Sequence, residues 1–152
     1  GRIADVGQKI TPSLLFAGKP HGGAEQAINL YTKIFRDSKL DGILRHTAHA
    51  GGHAGSVKHA QFGLNNEKFM AMDGGLGHAF GFNEAISLQI ACESQQEVDY
   101  FWAKLTANGG EEGPCGWLKD KFGVSWQVVP AVLREWLSDP DTAKTNRLTR
   151  AH

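Results

Sequence analysis

The sequence predicts an α+β fold in which a strand, a helix and three further strands are written twice, followed by a C-terminal helix. Three patterns predict it. Ser13-Leu14-Leu15-Phe16-Ala17 returns as Ser87-Leu88-Gln89-Ile90-Ala91, and each copy leads into an amphipathic stretch. A register shift of three residues then aligns Ala27 with Val98, Tyr31 with Trp102, Lys33 with Lys104 and Ile34 with Leu105. Beyond each helical stretch the apolar residues change from helical spacing to strand-like runs. Two copies of one βαβββ module imply two similar halves that enclose a site.

The elements follow in order. Residues 10–17 form an apolar run between turn-formers, as a buried strand does. Ala24, Ala27, Ile28, Tyr31, Ile34 and Phe35 make one helical stripe over 24–35. A strand is expected over 42–48, and the glycine- and histidine-rich stretch His49 to Gly55 reads as a hairpin loop. Residues 56–64 alternate, with Ala60, Phe62 and Leu64 on one face and Val57, His59 and Gln61 on the other. Residues 68–73 form a short strand closed by Gly74-Gly75, and 76–84 connect the modules.

The second copy starts with a strand over 85–92. Ser94-Gln95-Gln96-Glu97 has the form of a capping box. Val98, Phe101, Trp102 and Leu105 form the stripe of its helix, and Asn108-Gly109-Gly110 ends it. Strands around 111–120 and 124–130 flank the turn Asp120 to Gly123, where the acidic residue caps and the glycine takes positive φ. Pro130 stops the last strand. Val132, Leu133, Trp136 and Leu137 mark a short helix, and the polar tail beyond Pro140, with Leu148 its main anchor, frays or docks on a partner subunit. The expected organisation is one domain over 1–152: a first module at about 9–75, a second at about 84–130, and a helix and tail at 131–152.

Composition excludes several classes. Sixteen basic and sixteen acidic residues cancel without forming a block, which argues against nucleic acid or anionic membrane as partner. No apolar run approaches the roughly 20 residues that span a bilayer. Gly1 to Asp5 lack the basic-then-apolar pattern of a secretion signal, and two cysteines are too few for a disulfide framework. A cytoplasmic location is the resulting expectation.

Strand parity locates the site. Leu14, Phe16, Leu88, Ile90, Trp126 and Val128 are expected under the helices. The opposite parity carries Thr11, Ser13 and Leu15; Ala85, Ser87 and Gln89; Ser125, Gln127 and Val129, a polar set for buried strands. Such a face is costly unless it meets water or a ligand, so it predicts a pocket. Gln61, Gln89 and Gln127 make a neutral hydrogen-bonding floor. His59 is the histidine best placed to act as a base, against the plainer reading of a partly exposed strand residue. Trp117 and Phe80 are candidate aromatic walls. No Arg or Lys falls on the inferred cavity parity, which predicts a ligand that is small, polar and not strongly anionic. His46, His49 and His53 have metal-like spacing but lack a fixing scaffold, and read as a loop. Cys115 and Cys92 read as structural rather than nucleophilic.

The segments ITPSLLFAG, AEQAINLYTKIF, FMAMDGG, EAISLQIAC and EEGPCGWLKDKFGVSWQVVP resemble the PhnB-like subgroup of the vicinal-oxygen-chelate superfamily. This is the glyoxalase, bleomycin-resistance and extradiol-dioxygenase fold, and the resemblance covers about residues 9–140. It implies βαβββ modules whose mixed sheets curl into half-barrels, often completed by homodimerisation. The subgroup is also labelled demethylubiquinone methyltransferase-like. That activity is not expected here, because no strand is expected to run through a glycine-rich turn into a helix as an S-adenosylmethionine site requires.

Active superfamily members hold a divalent metal through four His or Glu side chains. The resemblance places these positions at Thr11, Ala71, Ala85 and Gln127, with Asp73 as the fallback for Ala71. Two alanines, a neutral hydroxyl and an amide make a poor ligand set, so no metal cofactor is expected. The pocket residues are thus Thr11, Ser13, His59, Gln61, Ala71, Ser87, Gln89, Trp117 and Gln127. Two functions compete: a homodimeric protein that binds a small polar molecule in a metal-free cavity, and a glyoxalase- or lyase-type enzyme using His59 with a non-standard metal or none. A scaffold with a decayed cavity is the plainest reading.

Overall fold

The computed structural model of the protein describes residues 7–47, 54–75 and 77–138. The chain divides into two compact units, Gly1–Phe82 and Asn83–His152.

The first unit runs β1 (Ser13–Phe16), α1 (Ala24–Ile34), β2 (Lys39–Arg45), β3 (Val57–Leu64) and β4 (Glu67–Asp73). Its mixed four-stranded sheet has the order β1-β4-β3-β2, with β1 parallel to β4 and the other pairs antiparallel. Leu14, Ala71 and Ala60 share one register row, and Phe62 pairs with Phe69 in the next row of the same face. Helix α1 lays Ala24, Ala27, Ile28, Tyr31 and Ile34 on this face, where Phe16, Ala60, Phe62 and Ala71 are all buried. Gly23 provides no side-chain cap for α1. Instead the Asp73 carboxylate at the end of β4 accepts from the Ala24 amide at 3.0 Å and from the Val57 amide at 2.8 Å. A carboxylate at a helix N-terminus is also favoured by the helix dipole.

Two bulges explain departures from simple alternation. Leu44 pairs with His59 but Arg45 pairs with Val57, so Lys58 is an extra residue on β3. The bulge turns Val57 inward, away from the face of His59 and Gln61. Asp41 is the extra residue on β2, between the pairs Leu40–Phe62 and Gly42–Gln61. Strand β2 occupies 39–45 rather than 42–48, since the ladder begins immediately after the Arg36-to-Ser38 corner.

The second unit runs β5 (Ser87–Cys92), α2 (Gln95–Thr106), β6 (Glu111–Glu112), β7 (Trp117–Lys119), β8 (Ser125–Pro130) and α3 (Ala131–Leu137). Its sheet repeats the plan in the order β5-β8-β7-β6, again with the first pair parallel. Trp126, Val128, Ile90, Leu118, Phe101 and Leu105 are buried between sheet and α2. The Ser94 hydroxyl accepts from the Glu97 amide at 3.1 Å, while Glu97 reaches the Glu93 amide at 3.5 Å, one residue short of a reciprocal capping box. Ser94→Ala is therefore expected to cost about 1 kcal/mol, and Ser94→Gly a few tenths, measured by urea unfolding.

The expected strand over 111–120 is two strands. Gly113 donates to the Trp117 carbonyl at 2.9 Å and Trp117 to the Pro114 carbonyl at 3.0 Å, closing a tight loop. Gly116 has φ +83°, and a Cβ there would lie 2.6 Å from the Val128 carbonyl oxygen, so only glycine fits. Asp120 is buried in the turn before β8: Oδ1 accepts from the Phe122 and Val124 amides, and Oδ2 from the Trp126 indole. The architecture is α+β, two four-stranded mixed sheets of the same strand order that do not close, with three helices among the described residues. His49, His53 and the tail beyond Pro140 lie outside the described residues.

Candidate functional site

In the second unit the face of the sheet away from α2 carries a continuous polar row. Gln89, Gln127 and Trp117 are register partners across β5, β8 and β7. Ser87, Ser125 and Lys119 form the next row. The Gln127 amide Nε2 donates to Ser87 Oγ at 2.9 Å, which leaves the serine proton for another acceptor. Gln89 is exposed, and Gln127 and Trp117 are half-buried. Four of the expected pocket residues are thus adjacent on one face.

Lys119 is the residue that sequence reasoning missed. It shares the Gln127 face, so the expectation of a face without cations is overturned. The signal was available: Lys119 stands two residues from Trp117, and side chains two apart on a strand point the same way. Its Nζ lies 2.7 Å from Glu84 Oε2. The hydrogen bond from Lys119 holds the Glu84 carboxyl below its ordinary pKa, and Glu84 in turn raises that of Lys119.

In the first unit, Ser13, Met70 and Gln61 form a row on the face away from α1, and His59 stands two residues along β3 from Gln61. Gln61 Nε2 and Lys68 Nζ both donate to Asp41 Oδ2, at 2.9 and 2.8 Å. The Asp41 bulge thereby holds Gln61, and these two hydrogen bonds keep the Asp41 carboxyl below its usual pKa. His59 is exposed opposite Leu44. Ala71 is fully buried on the helix-covered face, where its β4 parity puts it with Asp73. Thr11 precedes β1, and Ala85 lies in the turn before β5 with its amide donating to Asn83 Oδ1 at 2.8 Å. Phe80 is exposed, with its ring 5.1 Å from that of His78. Burial pushes the Cys92 thiol up to about 11, with Glu97 adding to the effect, so it is no nucleophile at neutral pH.

The family profile described as 3-demethylubiquinone-9 3-methyltransferase matches residues 8–129. The chain belongs to this PhnB-like family. It is 39% identical to a Bacillus cereus PhnB protein, with a TM-score of 0.71 over 82% of this chain and 100% of that one. A Pseudomonas aeruginosa protein, PA1353, shares the fold at 21% identity and a TM-score of 0.64, covering 81% of this chain and 97% of its own. The fosfomycin resistance protein FosX of Mesorhizobium loti shares it at 10% identity and a TM-score of 0.56, over 88% and 99% of the two chains. No curated protein matches the chain.

The methyltransferase activity in the family's description does not follow from membership of it. The PhnB-like chain does have a glycine-containing turn between a strand and a helix: Gly18, Gly22 and Gly23 separate β1 from α1, contrary to the sequence expectation. The first amide of that helix is already occupied by Asp73, however, and each sheet has a single parallel pair rather than a doubly wound parallel array. A divalent metal fits the superfamily positions no better. Both Asp73 oxygens accept from backbone amides, Ala71 and Ala85 offer no donor atom, and Gln127, whose nitrogen donates to Ser87, has only a neutral amide oxygen to offer. No group of three or more His, Cys, Asp or Glu side chains among the described residues is arranged to hold a metal ion.

Proposed function

We propose that this PhnB-like protein binds a small polar organic molecule on the Gln89–Gln127–Trp117 face without the superfamily's divalent metal. The observation that carries the reading is the register of that row, with Ser87 tied to Gln127. Two primary amides present donors and acceptors beside one indole face, the mixture of directional polar groups and flat apolar surface that small-molecule sites use. Four neighbouring strand residues hold the row, so its geometry is set by the sheet rather than by a loop.

The protein acts as a cytoplasmic homodimer in this reading. Leu44 and Ile86, exposed at 63% and 79%, leave apolar surface that a second copy would cover. Both cysteines are free thiols, as a reducing compartment keeps them. No described helix is long and apolar enough to cross a membrane.

Lactamide, a neutral hydroxy-amide, is a suitable first probe in a proton–nitrogen NMR titration. The side-chain amides of Gln89 and Gln127 and the Trp117 indole are expected to shift together and saturate, and Gln127→Leu to abolish the response. Mn(II) added in parallel is expected to leave those signals unbroadened. Selective paramagnetic broadening of Ser87 and Gln127 would refute the metal-free reading.

A further inference from the structure

Ser125 is the least comfortable residue of the second unit. It is 1% exposed, and its Oγ has no hydrogen-bond partner among the described residues. A buried hydroxyl without a partner is a standing cost of order 1–3 kcal/mol, so native proteins rarely keep one idle. Its register neighbours are Ser87 on β5 and Lys119 on β7. Two hydroxyl-bearing residues and a lysine therefore start from one register row of the sheet, on the same face.

Lys119 of that row is engaged in an ion pair with Glu84. Lys119 stands on β7, and Glu84 belongs to the segment leading into β5, on the other side of β8. Their 2.7 Å contact therefore links β7 to the segment before β5 at the end of the sheet where β8 begins with Ser125. Both side chains remain substantially exposed, at 38% and 61%, and an ion pair so open to water is weakly held. Glu84 thus presents a carboxylate to Lys119, at the same end of the sheet as the Ser125 hydroxyl, which it does not satisfy.

We propose that Ser87, Ser125 and Lys119 form a subsite for the carboxylate of a small organic acid, and that Glu84 is its exchangeable internal substitute. An incoming carboxylate replaces Glu84 on the Lys119 ammonium, and its second oxygen accepts from the Ser125 hydroxyl. The Ser87 proton, freed by the Gln127 contact, supplies a third donor. Gln89, Gln127 and Trp117 in the next row then meet the rest of the molecule. The charge balance selects a monocarboxylate over a phosphate ester. One ammonium serves the site, and Glu111, in register with Lys119 on β6, opposes a dianion. The inference rests on the proposed small-molecule face and specifies its ligand class.

Lactate and lactamide, matched in shape and differing in charge, test it by the same NMR titration. Lactate is expected to bind more tightly than lactamide and to shift the Ser125 and Lys119 signals. Glu84→Gln removes the competitor and is expected to tighten lactate about threefold to fivefold while leaving lactamide unchanged. Lys119→Met is expected to abolish the preference for lactate, and Lys119→Arg to retain it. Ser125→Ala is expected to weaken lactate yet raise the melting temperature of the free protein by about 2 °C or more, because an idle buried hydroxyl is removed. Equal affinities for the two compounds, or a Glu84→Gln variant that binds lactate no better, would overturn the carboxylate subsite while leaving the polar face intact. Loss of melting temperature in Ser125→Ala would likewise mark the serine as structural. Absence of any response to either compound would remove both proposals together.

Discussion

Asp120→Ala is expected to lower stability by about 3–5 kcal/mol, enough to leave the second unit marginal at 25 °C. The carboxylate gathers the Phe122 and Val124 amides on one oxygen, at 2.9 and 3.0 Å, and the Trp126 indole on the other, at 2.9 Å. Removing it strands three donors in an environment where Asp120 itself is 2% exposed. Asp120→Asn separates the contributions. An asparagine oxygen can still accept from the two amides, but its NH2 then faces the indole N–H, donor against donor. Trp126→Phe deletes that N–H, so Trp126→Phe is expected to be less harmful in the Asp120→Asn background than in the wild type. Chemical denaturation of the four proteins closes the cycle, and additive losses would show that the indole bond is not the source of the asparagine penalty.

Asp73→Ala is the second large expected effect, a loss of about 2–4 kcal/mol. Its two oxygens join the start of α1 to the start of β3, so both elements lose an anchor at once. A residue reserved for metal would behave differently, since metal-ligand carboxylates repel one another in the empty protein and their removal costs little. Hydrogen exchange locates the damage. Protection is expected to fall at the amides of Ala24 and Val57 and along the first turn of α1, with the second unit unchanged. A uniform loss of protection through α1 and β8 alike would contradict the local role.

Much of the fold was legible because it depends on local chemistry. The repeat of Ser13–Ala17 in Ser87–Ala91 marks β1 and β5, and both lie at a sheet edge paired in parallel with the last strand of their module. Helical spacing located α1 and α2 to within a residue or two, and the Asp120-to-Gly123 turn took the expected form with φ +93° at Gly123. The errors arose where period-2 alternation breaks. One inserted residue, Lys58, reverses the facing of Val57. Gly113 to Gly116 interrupt what reads as one strand, with Cys115 and Gly116 both at positive φ. Ala71 was given to the wrong face because a motif position carries no statement of parity.

The candidate site divides the same way. Alternation alone puts Ser87, Gln89 and Gln127 on one face, since each lies within a regular strand, and register adds Trp117 to it. Lys119 follows from the same alternation, two residues past Trp117, but its pairing with Glu84 does not, because an ion pair between residues 35 apart leaves no periodic trace. By itself the sequence determined the repeated βαβββ plan and the family, both properties of residue type and short-range spacing. Only the tertiary structure decided which side chains meet: that Asp73 accepts from two backbone amides, that Ser125 is left with a buried hydroxyl, and that Lys119 pairs with Glu84. Strand register sets those contacts, and register depends on bulges and pairings between segments that no local pattern connects.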